Sequence, residues 1–268
     1  MKQFKNKYGD WGLLVGSSQG IGEAFAQKLA SLGMNLILVD KDPTALAALS
    51  ERLGQDFNIE LKCLCLDLND APTITTIIET FNSLKCRLLI YNAAFSKIKR
   101  FNQYSEHELE QFINVNMAAC LRLTHAFSKY LIEKKQGGGI LLISSLAGLL
   151  GMEFIAPYAA SKAFTWNLAE SLYYELKPHG IDVSACIAGA TITETYLNTN
   201  PKYGRIKPQL EQPTTLVENA LKKLGKKPFF ISGFKNRLNY FLLTRILPRK
   251  MAGKIANRVM AQMYESNV

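Results

Sequence analysis

Residues 11–30 read WGLLVGSSQGIGEAFAQKLA: an apolar run, a glycine-rich turn and a segment with helical spacing. Glycines at 16, 20 and 22 permit a tight bend, close approach of a ligand to the backbone and close packing of a helix on a strand. Because the turn follows a strand and opens a helix, its N–H groups are placed to bind a phosphate group. The residues expected at this phosphate site are Gly16, Ser18, Gln19, Gly20, Ile21 and Gly22.

The same alternation of strand and helix continues along the chain. Apolar strand candidates occupy residues 11–15, 35–39, 61–66, 88–91, 139–143, 182–187 and 228–232. Segments with helical spacing lie between them, at residues 22–32, 45–53, 106–134 and 159–176. Continuous apolar strands alternating with helices predict an α/β fold, with a doubly wound, Rossmann-like parallel sheet covered on both faces. We expect one domain over residues 1–235, with a polar substrate loop at about 194–213, and a helical C-terminal extension over 236–268.

The composition is that of an ordinary soluble globular protein, with 48% hydrophobic and 20% charged residues, and it excludes collagenous, disordered and disulfide-scaffold classes. Five scattered cysteines, an odd number, are expected to be small core residues in a reducing, cytoplasmic compartment. Cys63 and Cys65 have no second pair or nearby histidine, so no metal site is expected. No apolar run follows the first charged residues, so no signal peptide is expected.

The net charge of +10 is confined to the end of the chain. Residues 194–268 hold 14 Lys and Arg against 4 Asp and Glu, which leaves 18 of each sign in residues 1–193. The helix candidates at 236–247 and 248–264 add an apolar stripe to these cations. The stripe consists of Met251, Ile255, Val259 and Met263. It suits a helix packed on its own subunit or a neighbour, or one lying at a membrane surface. No nucleic-acid partner is expected, because no binding motif is present.

Two side chains able to transfer or stabilise a proton lie one helical turn apart. Tyr158 and Lys162 are at i and i+4, on one helix face. An unperturbed tyrosine titrates near ~10, and a nearby cation lowers its pKa towards that of a useful acid or base. Ser145 ends a strand at the edge where parallel sheets present ligands. Asn116 interrupts an apolar helical segment, and a water relay from Lys162 would give it a partner.

Further residues follow the same strand ends. They are Asp67 after the third strand and Asn92-Ala93 after the fourth. Together with the glycine turn, Asn116, Ser145 and Tyr158-x-x-x-Lys162, they resemble the short-chain dehydrogenase/reductase family over residues 10 to about 195. The resemblance implies hydride transfer between a nicotinamide and a substrate carbon, with Tyr158 as acid/base.

The resemblance also assigns roles to the remaining site residues. Ser145 would orient the substrate oxygen, Lys162 would bind the nicotinamide ribose and lower the Tyr158 pKa, and Asn116 would hold the relay water. The implied cofactor-binding residues beyond the glycine turn are Asp40, Lys41, Asp67, Leu68, Asn92, Ala93, Tyr158, Lys162, Thr191 and Thr193. Tyr91, Ala94 and Ala188 depart from the family pattern. Tyr91 is expected to alter sheet bonding, and the alanine in place of proline to loosen the turn after the sixth strand.

The choice of cofactor depends on the end of the second strand. Asp40 lies where a carboxylate would receive ribose hydroxyls, and it repels a 2′-phosphate. NAD is therefore expected over NADP. Lys41 leaves NADP open, because its cation can neutralise that phosphate.

The substrate is expected to be a hydrophobic secondary alcohol or ketone, lipid-like or steroid-like, because apolar residues lie between Ser145 and Tyr158. The expected lining residues are Leu149, Leu150, Met152, Phe154, Tyr196, Leu197 and Tyr203. Alternatives are an NADPH-dependent carbonyl reductase, a cofactor-sensing protein without turnover, and a peripheral membrane protein docked through residues 236–268. The family suggests a homodimer or homotetramer formed through residues 106–134 and 159–176.

Overall fold

The computed structural model describes residues 2–204 and 207–267, and its centre is a seven-stranded parallel sheet. The strands are β1 (Trp11–Val15), β2 (Asn35–Asp40), β3 (Leu61–Cys65), β4 (Leu88–Tyr91), β5 (Gly138–Ser145), β6 (Ile181–Ala188) and β7 (Phe229–Ile231). Their order is β3-β2-β1-β4-β5-β6-β7, so the winding reverses between β1 and β4. The predicted doubly wound α/β fold is confirmed, and the reversal marks the edge where such sheets bind ligands.

Helices connect the strands and cover both faces of the sheet. They are α1 (Lys2–Tyr8), α2 (Gly20–Ser31), α3 (Pro43–Asp56), α4 (Ala71–Ser83), α5 (Glu106–Ile113), α6 (Ala119–Glu133), α7 (Ala156–Leu176), α8 (Glu194–Leu197), α9 (Pro213–Lys223), α10 (Phe234–Phe241) and α11 (Arg249–Tyr264). Four of these helices were not predicted from the sequence: α1, α4, α9 and α8, which lies in the segment predicted to be a polar loop. In α4 the threonines and isoleucines, which favour strands, obscure the helical spacing of its buried residues.

Alternate residues of each central strand enter two separate cores. Leu14 packs in one core with Phe25 of α2, and Leu13 packs in the other with Phe81 of α4 and Phe127 of α6. The rings of Phe81 and Phe127 meet edge to face, with centroids 5.1 Å apart. Burial on both faces explains why the central strands have continuous apolar sequences.

The strand β3 lies at the edge of the sheet, and this corrects the prediction for two cysteines. Cys63 and Cys65 are exposed, whereas Cys86, Cys120 and Cys186 are buried as expected. All five are free thiols. The local apolar run around Cys63 did not reveal that its strand has a neighbour on one side only.

The helix predicted over residues 106–134 is interrupted. Between α5 and α6, residues Asn114–Ala118 form a π-helical turn with Asn116 buried inside it. Such a turn inserts one extra residue and often marks a functional position. Helical periodicity in the sequence cannot reveal this insertion, because the residues on both sides keep the helical pattern.

The C-terminal helices pack on the rest of the chain. A π-helical turn, Leu242–Ile246, follows α10, and α11 buries Ala252, Ala256, Met260 and Met263. These side chains contact the segment after β5, which includes Leu150 and Ile155.

The predicted apolar stripe is therefore only partly correct, since Met251 and Ile255 are exposed. A repeat of four residues advances by about 40° per step around a helix, so its two ends face different directions. None of the described helices has the length and apolarity needed to cross a bilayer. The division of the chain at residue 235 stays a prediction.

Candidate active site

A cavity of about 950 Å³ opens at the carboxyl ends of the strands. Residues at or just after successive strand ends line it: Gly16, Asp40, Asp67, Asn92, Ser145 and Gly189. All the predicted catalytic and cofactor-binding residues line this cavity except Gly22 and Asn116. The topology thus brings together residues that lie far apart in the sequence.

Two glycines of the turn lie so close to other parts of the chain that a side chain at either position would clash with them. Gly16 has φ +78°, and a Cβ there would lie 2.6 Å from the backbone of Ala93. A Cβ on Gly22 would lie 1.9 Å from the carbonyl oxygen of Gly16. Asn92 Nδ2 donates to that same oxygen at 2.7 Å. Gly22 therefore packs against the side of the turn that faces away from the cavity, which explains why it does not line the cavity.

The N-terminus of α2 is suited to an anion. Gln19 precedes the helix without a side-chain cap, and Gly20 and Ile21 line the cavity. First-turn N–H groups of a helix lack intrahelical partners and carry partial positive charge. A Cβ on Gly20 would lie 2.8 Å from the methyl group of Thr193, so Thr193 lies close to the glycine turn. This geometry fits the pyrophosphate of a dinucleotide.

Asp40 is held firmly at the end of β2. Its Oδ2 accepts from the N–H of Ser18 at 2.9 Å, and its Oδ1 accepts from the N–H groups of Lys41 and Asp42 at 2.8 and 3.3 Å. A carboxylate has about four acceptor positions, so one remains on the cavity side for a hydroxyl donor. Asp40 both shapes the turn and keeps capacity for a ligand.

A second carboxylate adjoins Asp40, and the sequence analysis did not select it. Asp42 lines the cavity while capping α3, where it accepts from the N–H groups of Thr44 and Ala45. The Asp-Pro pair that opens the helix is the signal that could have identified this cap. Lys41 lies between the two carboxylates and is exposed.

Asp67 and Leu68 line the cavity beyond Asp40. The Asp67 side chain accepts from the N–H of Asn69 at 2.9 Å, and its backbone carbonyl accepts from the Thr73 hydroxyl at 2.8 Å. These two bonds fix the turn after β3. Thr191 and Thr193 line the cavity on the other side, after β6.

Ser145, Tyr158 and Lys162 meet on one wall of the cavity. Lys162 Nζ is buried, donates to the carbonyl oxygen of Ile143 at 2.8 Å and lies 5.6 Å from the centroid of the Tyr158 ring. The hydroxyl of Ser144 donates to the carbonyl oxygen of Lys162 at 2.7 Å and so connects α7 to β5.

Burial determines how the two reactive groups titrate. It raises the pKa of Tyr158, and a hydrogen bond with Ser145 acts in the opposite direction. Burial also lowers the pKa of Lys162 to about 8. Loss of water around the phenol is the largest effect on this pKa in the chain alone, and the lowering of the Tyr158 pKa by Lys162 stays a prediction.

Asn116 lies outside the cavity, and its role in holding a water relay from Lys162 stays a prediction. Its Oδ1 accepts from the N–H of Phe95 at 2.6 Å, and its Nδ2 donates to the Phe95 carbonyl at 2.9 Å and to Ser161 Oγ at 3.0 Å. Both amide hydrogens are therefore used. The side chain fixes the segment after β4 to α7, next to the reactive tyrosine.

The family departures have specific structural roles. Tyr91 keeps regular backbone pairing with Val15 and Leu142, so the expected change in sheet bonding is wrong. After β6, a Cβ on Gly189 would lie 2.3 Å from Asn236 Nδ2. The turn expected to be loose is therefore packed tightly against α10.

The wall opposite the glycine turn is largely apolar. Leu149, Leu150, Met152 and Tyr196 line it as predicted. Phe154, Leu197 and Tyr203 do not: the first is buried under α11, and the other two are exposed. The C-terminal helices supply lining residues that the sequence analysis did not place there, among them Tyr240, Leu243, Leu247, Met260 and Tyr264. Throughout residues 2–204 and 207–267, no three His, Cys, Asp or Glu side chains are grouped to hold a metal ion.

Comparison with known proteins agrees with this geometry. The family model for short chain dehydrogenases matches residues 11–204. The 7beta-hydroxysteroid dehydrogenase of Clostridium sardiniense is 31% identical over 234 residues, which cover 87% of this chain and 89% of that protein. A solved structure concerning 7beta-hydroxysteroid dehydrogenase stereoselectivity has a TM-score of 0.85 at 24% identity, with 94% of this chain and 98% of that chain covered.

A short-chain dehydrogenase from Sphingobium yanoikuyae in complex with NADPH has a TM-score of 0.77 at 27% identity, covering 87% of this chain and 91% of that chain. These similarities confirm the resemblance found in the sequence and favour an enzyme over a cofactor-sensing protein without turnover. The chain belongs to the short-chain dehydrogenase family of NAD(P)-dependent oxidoreductases acting on CH–OH groups.

Proposed function

We propose that this enzyme interconverts a bulky apolar secondary alcohol and its ketone, with Tyr158 as the proton-transferring group. The observation that carries the proposal is the position of Ser145, Tyr158 and Lys162 on one wall of the cavity, beside an apolar wall formed by Leu149 and Met260. A polar reactive edge beside a large apolar surface fits a substrate with one oxygen on an extended hydrocarbon body.

The reaction divides between the cofactor and the chain. A bound nicotinamide accepts or supplies the hydride. In the oxidation direction, Tyr158 Oη takes the proton of the substrate hydroxyl, and in the reduction direction it returns a proton to the ketone oxygen. Ser145 holds that oxygen by a hydrogen bond, and the Lys162 ammonium provides positive charge close to the phenolate.

Asn116 is proposed as a positioning residue. Its amide joins Phe95 to Ser161, and Ser161 lies on α7 between the two reactive residues. Removing this amide would loosen α7 at the site without removing a reacting group.

The proposal includes a preference for NAD. The remaining acceptor position of Asp40 suits a ribose hydroxyl, and the neighbouring Asp42 adds a second negative charge where NADP carries its phosphate. Lys41 keeps an NADPH-using carbonyl reductase as the alternative, and a relative of the same fold is known in complex with NADPH. Gly16, Ser18, Gln19, Gly20 and Ile21 would hold the pyrophosphate, and Asp67 the adenine.

The substrate class is supported by the relatives. The 7beta-hydroxysteroid dehydrogenase of Clostridium sardiniense acts, by its name, on a rigid apolar molecule carrying a secondary hydroxyl. A cavity wall containing Leu149, Leu150 and Met152 suits such a molecule.

The test is a panel of hydroxysteroids, long-chain secondary alcohols and sugars, supplied with NAD or NADP while formation of reduced nicotinamide is followed by absorbance. We expect turnover of the apolar compounds and none of the sugars. Tyr158→Phe should abolish turnover while cofactor binding, measured by fluorescence, remains. Turnover by the Phe variant would contradict the assignment of the proton-transferring group, and turnover of sugars alone would contradict the substrate class.

Self-association through α5, α6 and α7 belongs to the same proposal. Ile113, Leu121 and Tyr174 expose apolar surface on these helices. Exposed apolar side chains on adjacent helices fit a subunit contact. Sedimentation of the wild type and of Leu121→Glu would test it, because a monomeric wild type contradicts the contact. A reducing, cytoplasmic compartment is supported by the exposed free thiols of Cys63 and Cys65.

A further inference from the structure

An exposed apolar ridge follows α10 and the π-helical turn after it. The ridge consists of Phe234, Leu238, Phe241, Leu242 and Ile246, whose exposed fractions run from 43% at Leu242 to 71% at Phe234. The spacing i, i+4, i+7 and i+8 places the first four on one face of the helix. Asn236 is buried on the opposite face, beneath the helix. Large apolar side chains that are exposed to water do not stabilise the folded chain. Packing within the fold therefore does not explain the ridge, and such patches often mark a binding surface.

Cations without acidic partners lie along the ridge segment and along α11, which follows it. Residues 234–264 contain seven Lys and Arg and no Asp or Glu. All seven are exposed: Lys235, Arg237, Arg245, Arg249, Lys250, Lys254 and Arg258. Among the ion pairs of the described chain, none includes any of these seven side chains. The positive charge of this region therefore remains available to an external anion.

The ridge is continuous with the substrate cavity. Leu242 belongs to the ridge and also lines the cavity, as do its neighbours Leu243 and Leu247. Ile255 on α11 is likewise exposed and lines the cavity. The exposed apolar surface and the apolar cavity wall thus meet along one edge.

The apolar ridge and its cations restrict the kind of partner that can bind here. A two-fold contact places the same patch on both copies, so a second copy of this chain would bring seven cations against seven. A surface of anionic lipids instead offers headgroup charge for the Lys and Arg side chains and acyl chains for the ridge. The segment 234–246 has a length of about 20 Å as a helix, which is enough to lie along such an interface.

We infer that α10 and the following turn dock this enzyme on the surface of a membrane containing anionic lipids, with the cavity mouth facing the lipid. The docking surface itself does not depend on the substrate class. Its consequence does rest on the proposed function: an apolar alcohol or ketone dissolved in the bilayer would enter the cavity past Leu242 and Ile255 without crossing water.

The test is flotation of the full chain with vesicles of phosphatidylcholine alone and of a phosphatidylcholine–phosphatidylglycerol mixture. We expect the protein to float with the mixed vesicles and to be released by high salt. The variant Phe234→Glu/Phe241→Glu should lose at least about tenfold in partitioning, because two inserted apolar anchors become anions. Phe101→Glu is the matched control, since Phe101 is 66% exposed but lies outside the ridge.

Three results would overturn the inference. They are wild type that stays unbound with mixed vesicles, a double variant that floats as well as wild type, and a double variant whose sedimentation shows a lost subunit contact instead. Circular dichroism and thermal unfolding should be the same in the double variant and wild type, which checks the folding of the variant without any substrate. Because flotation needs no turnover, failure of the proposed substrate class would be seen separately from failure of docking.

Discussion

The phenol of Tyr91 donates a 2.5 Å hydrogen bond to the carbonyl oxygen of Val115. Val115 lies in the π-helical turn, where the normal helical ladder leaves backbone carbonyls in need of other donors. The bond connects the end of β4 to the turn that holds Asn116. The tyrosine found where the family pattern has asparagine thus supports the residue that positions α7.

Replacing Tyr91 by Phe tests this support. We expect the free energy of unfolding to fall by about 1 to 3 kcal/mol, because a partly buried carbonyl loses its donor. Turnover should fall as well, since the π-helical turn is less well held. Urea denaturation and steady-state kinetics measure the two effects. Thr75→Val removes an exposed hydroxyl on α4, outside the proposed subunit contact, and should change neither; equal effects in both variants would contradict the role of the Val115 bond.

Lys162 gives a prediction about pH. Its pKa is lowered from 10.5 to about 8 in the folded chain, so between these values the unfolded chain binds more protons than the folded one. Stability therefore rises with pH through this window. Relative to Lys162→Met, wild type should gain stability from pH 8 to 10, by at most about 2 to 3 kcal/mol.

Chemical denaturation of both proteins across this range, without added nucleotide, measures the difference. The comparison stops at pH 10 because the raised pKa of Tyr158 acts with the opposite sign above it. Lys222→Met, at an exposed site, serves as control and should follow wild type. Parallel curves for wild type and Lys162→Met would show that Lys162 keeps an ordinary pKa.

The sequence was sufficient to predict the residues that meet at the strand ends. Gly16, Asp40 and Ser145 follow from the strand–helix alternation, because parallel strands present their carboxyl ends at one edge. At these positions the local sequence pattern and the sheet topology predict the same location, so few other placements of these residues are consistent with the sequence. Tyr158 was chosen for its spacing from Lys162, and Asn92 came from the family resemblance.

What the sequence did not reveal depends on contacts between distant segments. The inserted residue at Asn116 and the exposure of Cys63 are set by neighbours that local periodicity does not specify. The same holds for α11: its apolar stripe was visible, but whether Val259 and Met263 faced a cavity, a membrane or a second subunit depended on where α10 places the helix.

Asp40 gives a prediction about cofactor choice. Asp40→Asn removes the charge that repels a 2′-phosphate and keeps one of the two oxygens that accept from the turn, while its amide nitrogen replaces the other oxygen. We expect the ratio of kcat/KM for NADP to that for NAD to rise about tenfold, which corresponds to about 1.4 kcal/mol. Asp42→Asn is the control, because asparagine still caps α3. An equal shift in both variants would mean that the local charge, and not the contact of Asp40 with the ribose, sets the preference.

The contact between Gly189 and Asn236 links the cofactor side of the cavity to α10. A Cβ at residue 189 would lie 2.3 Å from Asn236 Nδ2, and Asn236 is buried and bonded to the Ser232 carbonyl at 3.0 Å. Gly189→Ala should therefore displace α10 and cost about 1 to 3 kcal/mol in unfolding free energy. Since Tyr240 and Leu243 follow in the same segment and line the cavity, KM for the apolar substrate should rise more than KM for the cofactor.

Gly253→Ala makes the same chemical change at a position in α11 where, beyond the adjacent residues and backbone of its own helix, no described atom lies within 4 Å of the new Cβ. It should stabilise the protein by about 0.5 to 1 kcal/mol, as alanine does within a helix. Thermal unfolding and substrate titration of both variants measure these effects. If Gly189→Ala leaves stability and substrate KM unchanged, α10 is not held by Asn236, and the cavity wall that α10 provides must be positioned by the packing of α11 alone.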